Sequence, residues 1–171
     1  MFRGRKGADT GKLFISFRGV AQRLTLPSDL AAVQQIGLYG AAVDQIVAMQ
    51  NWWLRVSTPV GSTSPNHVPQ YAFSPVLNLL TGAADVRNTG ELAGFFQVGT
   101  PIKVSVTGSS LGGHMVMAFA TLFPANTVEA VAFTAPGFPA NASVQALLAG
   151  LGGVVPAVGN PLITNVQSRQ D

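Results

Sequence analysis

The chain has 171 residues, enough for one domain with a real core, and no cysteine, so disulfides and thiolate metal sites are excluded. Hydrophobic residues make up 47% and charged residues 10%, which excludes a disordered chain. The net charge of +3 comes from a shortage of acids, with Arg3, Arg5 and Lys6 the one basic cluster and no basic stripe interleaved with aromatics, so nucleic acid is a poor partner.

Lys12–Arg18 reads as a buried strand that ends at Gly19. Pro27-Ser28-Asp29 is a helix start with Ser28 as N-cap, and apolar spacing from Leu30 to Leu54 predicts one long helix to about Trp53. Residues Val56 to Tyr71 are rich in Pro, Gly, Ser and Asn and read as loop. Ser74-Pro75-Val76 is another cap-and-proline start, predicting a helix through about Ala84; Glu91 to Phe96 adds a turn or two. A β-branched strand follows from Ile102 to Thr107, then a helix in which Leu111, Met115, Phe119 and Leu122 share a face. Val128–Thr134 is the next strand, Asn141 caps a helix through Leu148, and Leu162–Val166 is the final strand.

Strands alternating with helices predict a single α/β domain, a parallel sheet with crossover helices, with sites beyond the carboxyl ends of its strands. Arg18-Gly19-Val20, Ser110, Pro136-Gly137 and Asp171 all fall at such ends. The apolar stretch Val144–Val158 is broken by Gly150, Gly152, Gly153 and Pro156 and does not read as a membrane span, and Met1-Phe2-Arg3-Gly4 opens no signal-peptide run. So apolar and sparsely charged a chain fits either contact with lipid or an apolar partner, or simply a well-buried core.

The turn between the central strand and its helix carries the chemistry. It reads Gly108-x-Ser110-x-Gly112. Glycine on either side lets strand and helix pass closely while a serine at a strained position is pushed out above the sheet. The amide of Leu111, at a helix N-terminus, then faces a developing oxyanion. Rival glycine motifs fail. A phosphate-binding loop needs lysine then Ser/Thr after Gly113, where His114 and Met115 stand, and no dinucleotide fingerprint follows a strand.

Phe17-Arg18-Gly19, Thr107-Gly108-Ser109-Ser110-Leu111-Gly112-Gly113-His114 and Phe133-Thr134-Ala135-Pro136-Gly137 together resemble, in order, the motifs of class 3-like bacterial lipases of the α/β-hydrolase fold. The resemblance runs from residue 12 over nearly the whole chain. It implies a serine carboxylic-ester hydrolase acting on lipid esters, a triglyceride lipase, esterase or phospholipase, working without metal or organic cofactor. Secretion from a bacterium and transient contact with a lipid interface go with it. Ser110 is then the nucleophile, Leu111 and Val20 the oxyanion donors through their amides, Gly108 and Gly112 the elbow glycines, and Asp171 the acid of the triad. Two positions depart from the family. Val20 replaces a hydroxyl residue, and a lost donor costs roughly 10²–10³ in rate. Ser109 stands where histidine is usual.

The base is the gap. The fold's order is serine, acid, histidine, and the only histidine after Ser110 is His114, expected to pack behind the elbow. His67 precedes the serine and reads as a solvated loop residue. Losing the base of a serine triad costs on the order of 10⁶ in kcat. The expectation is therefore a partial α/β-hydrolase fold lacking its N-terminal edge and a C-terminal histidine-bearing segment, with marginal solubility or a partner chain that supplies the base. The alternative is a non-catalytic module that holds an apolar ligand. Trp52–Tyr71 and Val144–Val158 are lid or acyl-pocket candidates.

Overall fold

Strands β1 (Leu13–Phe17), β4 (Val104–Ser109), β5 (Thr127–Phe133) and β6 (Ile163–Val166) form a parallel sheet in the order β1-β4-β5-β6. The structure is a computed structural model and describes residues 12–20, 27–93, 102–153 and 159–167. The two inner strands are lined by small and β-branched side chains, and Val104, Val106, Ala130 and Ala132 are fully buried. Burial alternates along these strands, and Phe14 of β1 and Val128 of β5 are exposed, so β1 is not the buried strand expected and the sheet is covered on the face that meets the helix after β4.

Helix α3 (Leu111–Leu122) follows β4 directly, and of its twelve residues only Met117 is not buried. A helix that is apolar all round belongs inside the molecule. It lies against β4, β5 and β1 and is covered by helix α2 (Val43–Ser57). Phe119 is the hub. Its ring stands 5.0 Å from Trp53, edge to face at 82°, 5.0 Å from Phe123 and 5.9 Å from Phe17. Trp53 is therefore core rather than lid. Helix α4 (Ala142–Gly150) starts where expected, with Asn141 Oδ1 accepting from the Val144 amide at 2.8 Å.

Three further sequence expectations are corrected. The single helix to Trp53 is two, α1 (Pro27–Tyr39) and α2. Gly40 closes α1 at φ +81°, where its amide donates to Ile36 O at 3.0 Å. Gln35 of α1 then caps α2, accepting from the Asp44 amide at 3.0 Å and donating to the Asp44 carboxylate at 2.6 Å. Ser28 is not the N-cap, because α1 already begins at Pro27, a residue suited to the first helical turn.

The second correction concerns Ser74–Ala84, which is no helix. Strands β2 (His67–Ser74) and β3 (Leu79–Arg87) pair antiparallel as a separate hairpin. Ser74 Oγ accepts from the Leu77 amide at 3.3 Å, and Asn78 takes φ +50°. Serine, proline and asparagine there build a tight turn with the same side-chain chemistry that starts helices. Third, the loop expected over Val56–Tyr71 is confined to residues 58–66, because α2 runs on to Ser57 and β2 starts at His67. Asn51 of α2 fastens the hairpin, donating to Tyr71 O and accepting from Tyr71 N, both at 2.8 Å. A turn spans Glu91–Ala93, and the rest of the segment expected there lies outside the described residues. Among the described residues no helix is long and apolar enough to cross a membrane.

Candidate active site

Ser110 joins β4 to α3 with φ 54° and ψ −121°. A side chain there costs about 1–3 kcal/mol and persists only where the surroundings hold it. Two backbone bonds do so. The Ser110 amide donates to Phe133 O at 2.9 Å, and its carbonyl accepts from the His114 amide at 3.0 Å. The flanking glycines are fixed by close approach. A methyl group on Gly108 would lie 2.5 Å from the Gly112 carbonyl, and one on Gly112 would lie 2.8 Å from the Arg18 carbonyl carbon. With strand and helix this near, the serine side chain is turned outward, and Ser110 is exposed.

The turn after β1 comes to the same place. Phe17 lies opposite Gly108 in the β1–β4 ladder, and a methyl group on Gly19 would be 2.7 Å from Ser109 O and 3.8 Å from Ser110 Cβ. Val20 packs with Leu111, Ala32 and Ala42. The structure thus brings together Ser110, Leu111, Val20, Gly108 and Gly112, all named from the sequence. It adds a pair that the sequence did not flag. Arg18 Nη2 stands 3.3 Å from both carboxylate oxygens of the buried Asp29, tying this turn to the first turn of α1. The signal was a lone acid in a helix start, which reads equally well as a response to the helix dipole.

Both candidate histidines lie apart from the Ser110 hydroxyl. His114 is fully buried. Its Nδ1 stands 2.9 Å from Pro136 O, so Nδ1–H donates and Nε2 accepts the Ala42 amide at 3.3 Å. That pattern requires neutral imidazole. Burial lowers its pKa below the ordinary 6.5, partly opposed by the bond to Pro136. The ring packs 4.4 Å from Phe138 and fastens α3 to the start of α2 and to the turn after β5. His67 is exposed at the start of β2, opposite Arg87. Among the described residues no hydrogen bond joins Ser110 Oγ to a histidine or an acid, and no cluster of three such groups could hold a metal. Asp171 lies outside the described residues.

Phe133–Gly137 is shaped by a second strained residue, Thr134 at φ 45°, whose amide donates to Val166 O at 2.8 Å. Asn165 of β6 then grips Ala135 twice, accepting from its amide at 3.3 Å and donating to its carbonyl at 3.2 Å. Sequence reasoning missed Asn165, because no local pattern marks a side chain that bonds 30 residues away.

Among the described residues the structure has two apolar grooves, neither lined by Ser110. One of about 410 Å³ lies between β1 and α2, with Phe17, Met49, Trp52 and Met115 in its wall. The other, about 510 Å³, lies among Tyr39, Phe73, Leu80, Val144 and Leu147. Trp52 and Val144 come from the two segments named as pocket candidates; residues 154–158 lie outside the described residues. The arrangement offers an outward hydroxyl beside a helix N-terminus, with the Gly19–Val20 turn alongside. In comparisons with known proteins, the chain matches no family model, no curated protein and no solved structure.

Proposed function

We propose that this chain is the nucleophile-bearing domain of a serine hydrolase that cleaves carboxylic esters of lipids, on a partial α/β-hydrolase fold. One observation carries the reading: an exposed serine, at φ 54°, stands at a strand-to-helix bend whose neighbours leave room only for glycine. Ser110 Oγ would attack the ester carbonyl and pass its proton to a base supplied from outside the described residues. The Leu111 amide and the Val20 amide would hold the tetrahedral oxyanion. The alcohol leaves with that proton, and water then releases the fatty acid and restores the serine. Ser110, Leu111 and Val20 would supply the nucleophile and the oxyanion donors; the acid and base roles fall to Asp171 and to a histidine from elsewhere.

The test is a fluorophosphonate probe, with and without added imidazole as an external base. Label on the Ser110 peptide, faster with imidazole and absent from Ser110→Ala, is the expected result. A folded chain that stays unlabelled in both conditions overturns it.

A second reading has its own observation. Both ring nitrogens of His114 are engaged, so the histidine nearest in sequence cannot serve the serine. On that reading the domain holds an apolar ligand in the groove of about 510 Å³ without cleaving it. Fatty-acid binding that survives in a chain inert to the probe would select it.

A further inference from the structure

We propose that the outer stripe of α1 and the tip of the β2–β3 hairpin form one uncharged surface that seats in the headgroup boundary of a neutral phospholipid layer. This deepens the lipid-ester reading of Ser110 and rests on it for its purpose.

Helix α1 is apolar on both sides. Ala32 and Ile36 pack toward Leu111, the residue after the serine. Leu30, Val33 and Leu38 face outward, Leu38 at 76% exposure. The hairpin ends in Val76, Leu77 and Leu79, the first of them 91% exposed. The two elements meet where the rings of Tyr39 and Phe73 stand 5.7 Å apart, edge to face. Neither Leu30–Val43 nor Tyr71–Ala84 contains a charged residue.

Two physical points select lipid. The exposed side chains together present on the order of 600 Å², as large as the biggest patch of an ordinary monomer. That is below the ~800 Å² per partner of a standard protein interface. Finally, a surface without charge has nothing to pair with anionic headgroups, so attraction must be apolar and indifferent to salt.

The experiment measures co-sedimentation of the full chain with phosphatidylcholine vesicles at about 0.05 and about 0.5 M NaCl. Wild type is expected to bind equally at both. Val76→Asp/Leu77→Asp and Leu38→Asp should each weaken binding about tenfold or more, while Val128→Asp, at another exposed apolar position at the start of β5, stays within about twofold. Circular dichroism checks each variant's fold. Val76→Trp gives a second readout: its emission should shift to the blue and be quenched by brominated lipid beyond the wild-type signal. Absence of binding to phosphatidylcholine overturns the proposal. So does binding that needs anionic lipid and low salt, an equal loss in Val128→Asp, or a lipid-free dimer that Val76→Asp/Leu77→Asp dissolves. Ser110→Ala should bind vesicles like wild type. Vesicle binding without probe label sinks only the hydrolase reading, and label without vesicle binding sinks only this surface.

Discussion

Arg18 reaches Asp29 with one guanidinium nitrogen, 3.3 Å from each carboxylate oxygen. The acid is buried and the arginine is more than half exposed. Water screens such a pair, so Arg18→Ala should lower stability by only about 1 kcal/mol, and less at high salt. Asp29→Ala should cost more, because it also removes a buried acid from the first turn of α1. Urea midpoints in low and high salt check both.

The bend at Ser110 stores strain that glycine would not feel. Ser110→Gly should therefore be more stable than Ser110→Ala by about 1–2 kcal/mol, although both lose the hydroxyl. Equal melting midpoints for the two would show that φ 54° is not held in solution. Gly112→Ala should go the other way, losing about 3 kcal/mol or failing to fold, since its methyl group meets the backbone after β1.

His114 gives a pH dependence with a definite sign. It is buried and neutral, with its folded pKa below the ordinary 6.5. Below pH 6.5 the unfolded chain takes up a proton that the folded chain refuses. Its contribution is complete above pH 6.5 and is lost as pH falls toward the lowered folded pKa. Stability should decline from pH 7 to about pH 5, and His114→Asn, which cannot titrate, should flatten that slope. Denaturant titrations at several pH values would show it.

Asn165 holds both polar groups of the Ala135 backbone. Asn165→Ala takes the side-chain partner from the Ala135 amide and leaves its carbonyl with Gln167 Nε2 at 3.4 Å, at a cost of about 1–3 kcal/mol. Hydrogen exchange at the Ala135 amide should speed up beyond what the global loss of stability explains. An unchanged exchange rate would mean that the strand ladder alone holds the turn.

What could be read in the residues was local chemistry. Gly108, Ser110 and Gly112 announce their bend because each is required within five positions of the chain. Asn141 announces α4 by the same kind of short-range bond. Ser74-Pro75 misled because its turn chemistry serves helix starts and hairpins alike, and only pairing with β3 decides between them. The break at Gly40 was hidden by apolar spacing that carries on across it, and what breaks α1 there is a left-handed φ that hydrophobicity does not encode. Arg18–Asp29, His114–Pro136 and Asn165–Ala135 join separate elements, so no periodicity could give them.

Helix α3 is enclosed almost all the way round. It has no face on which it could loosen by itself. Peeling α2 away would expose Phe119 and Trp53 together, and fraying β4 would undo the ladder that carries Ser110. Amide protons of Val116, Ala118 and Ala120 should thus exchange only when the entire domain opens, at one shared free energy. The geometry of the bend would then survive intact up to the melting point and vanish with it, with no softened intermediate.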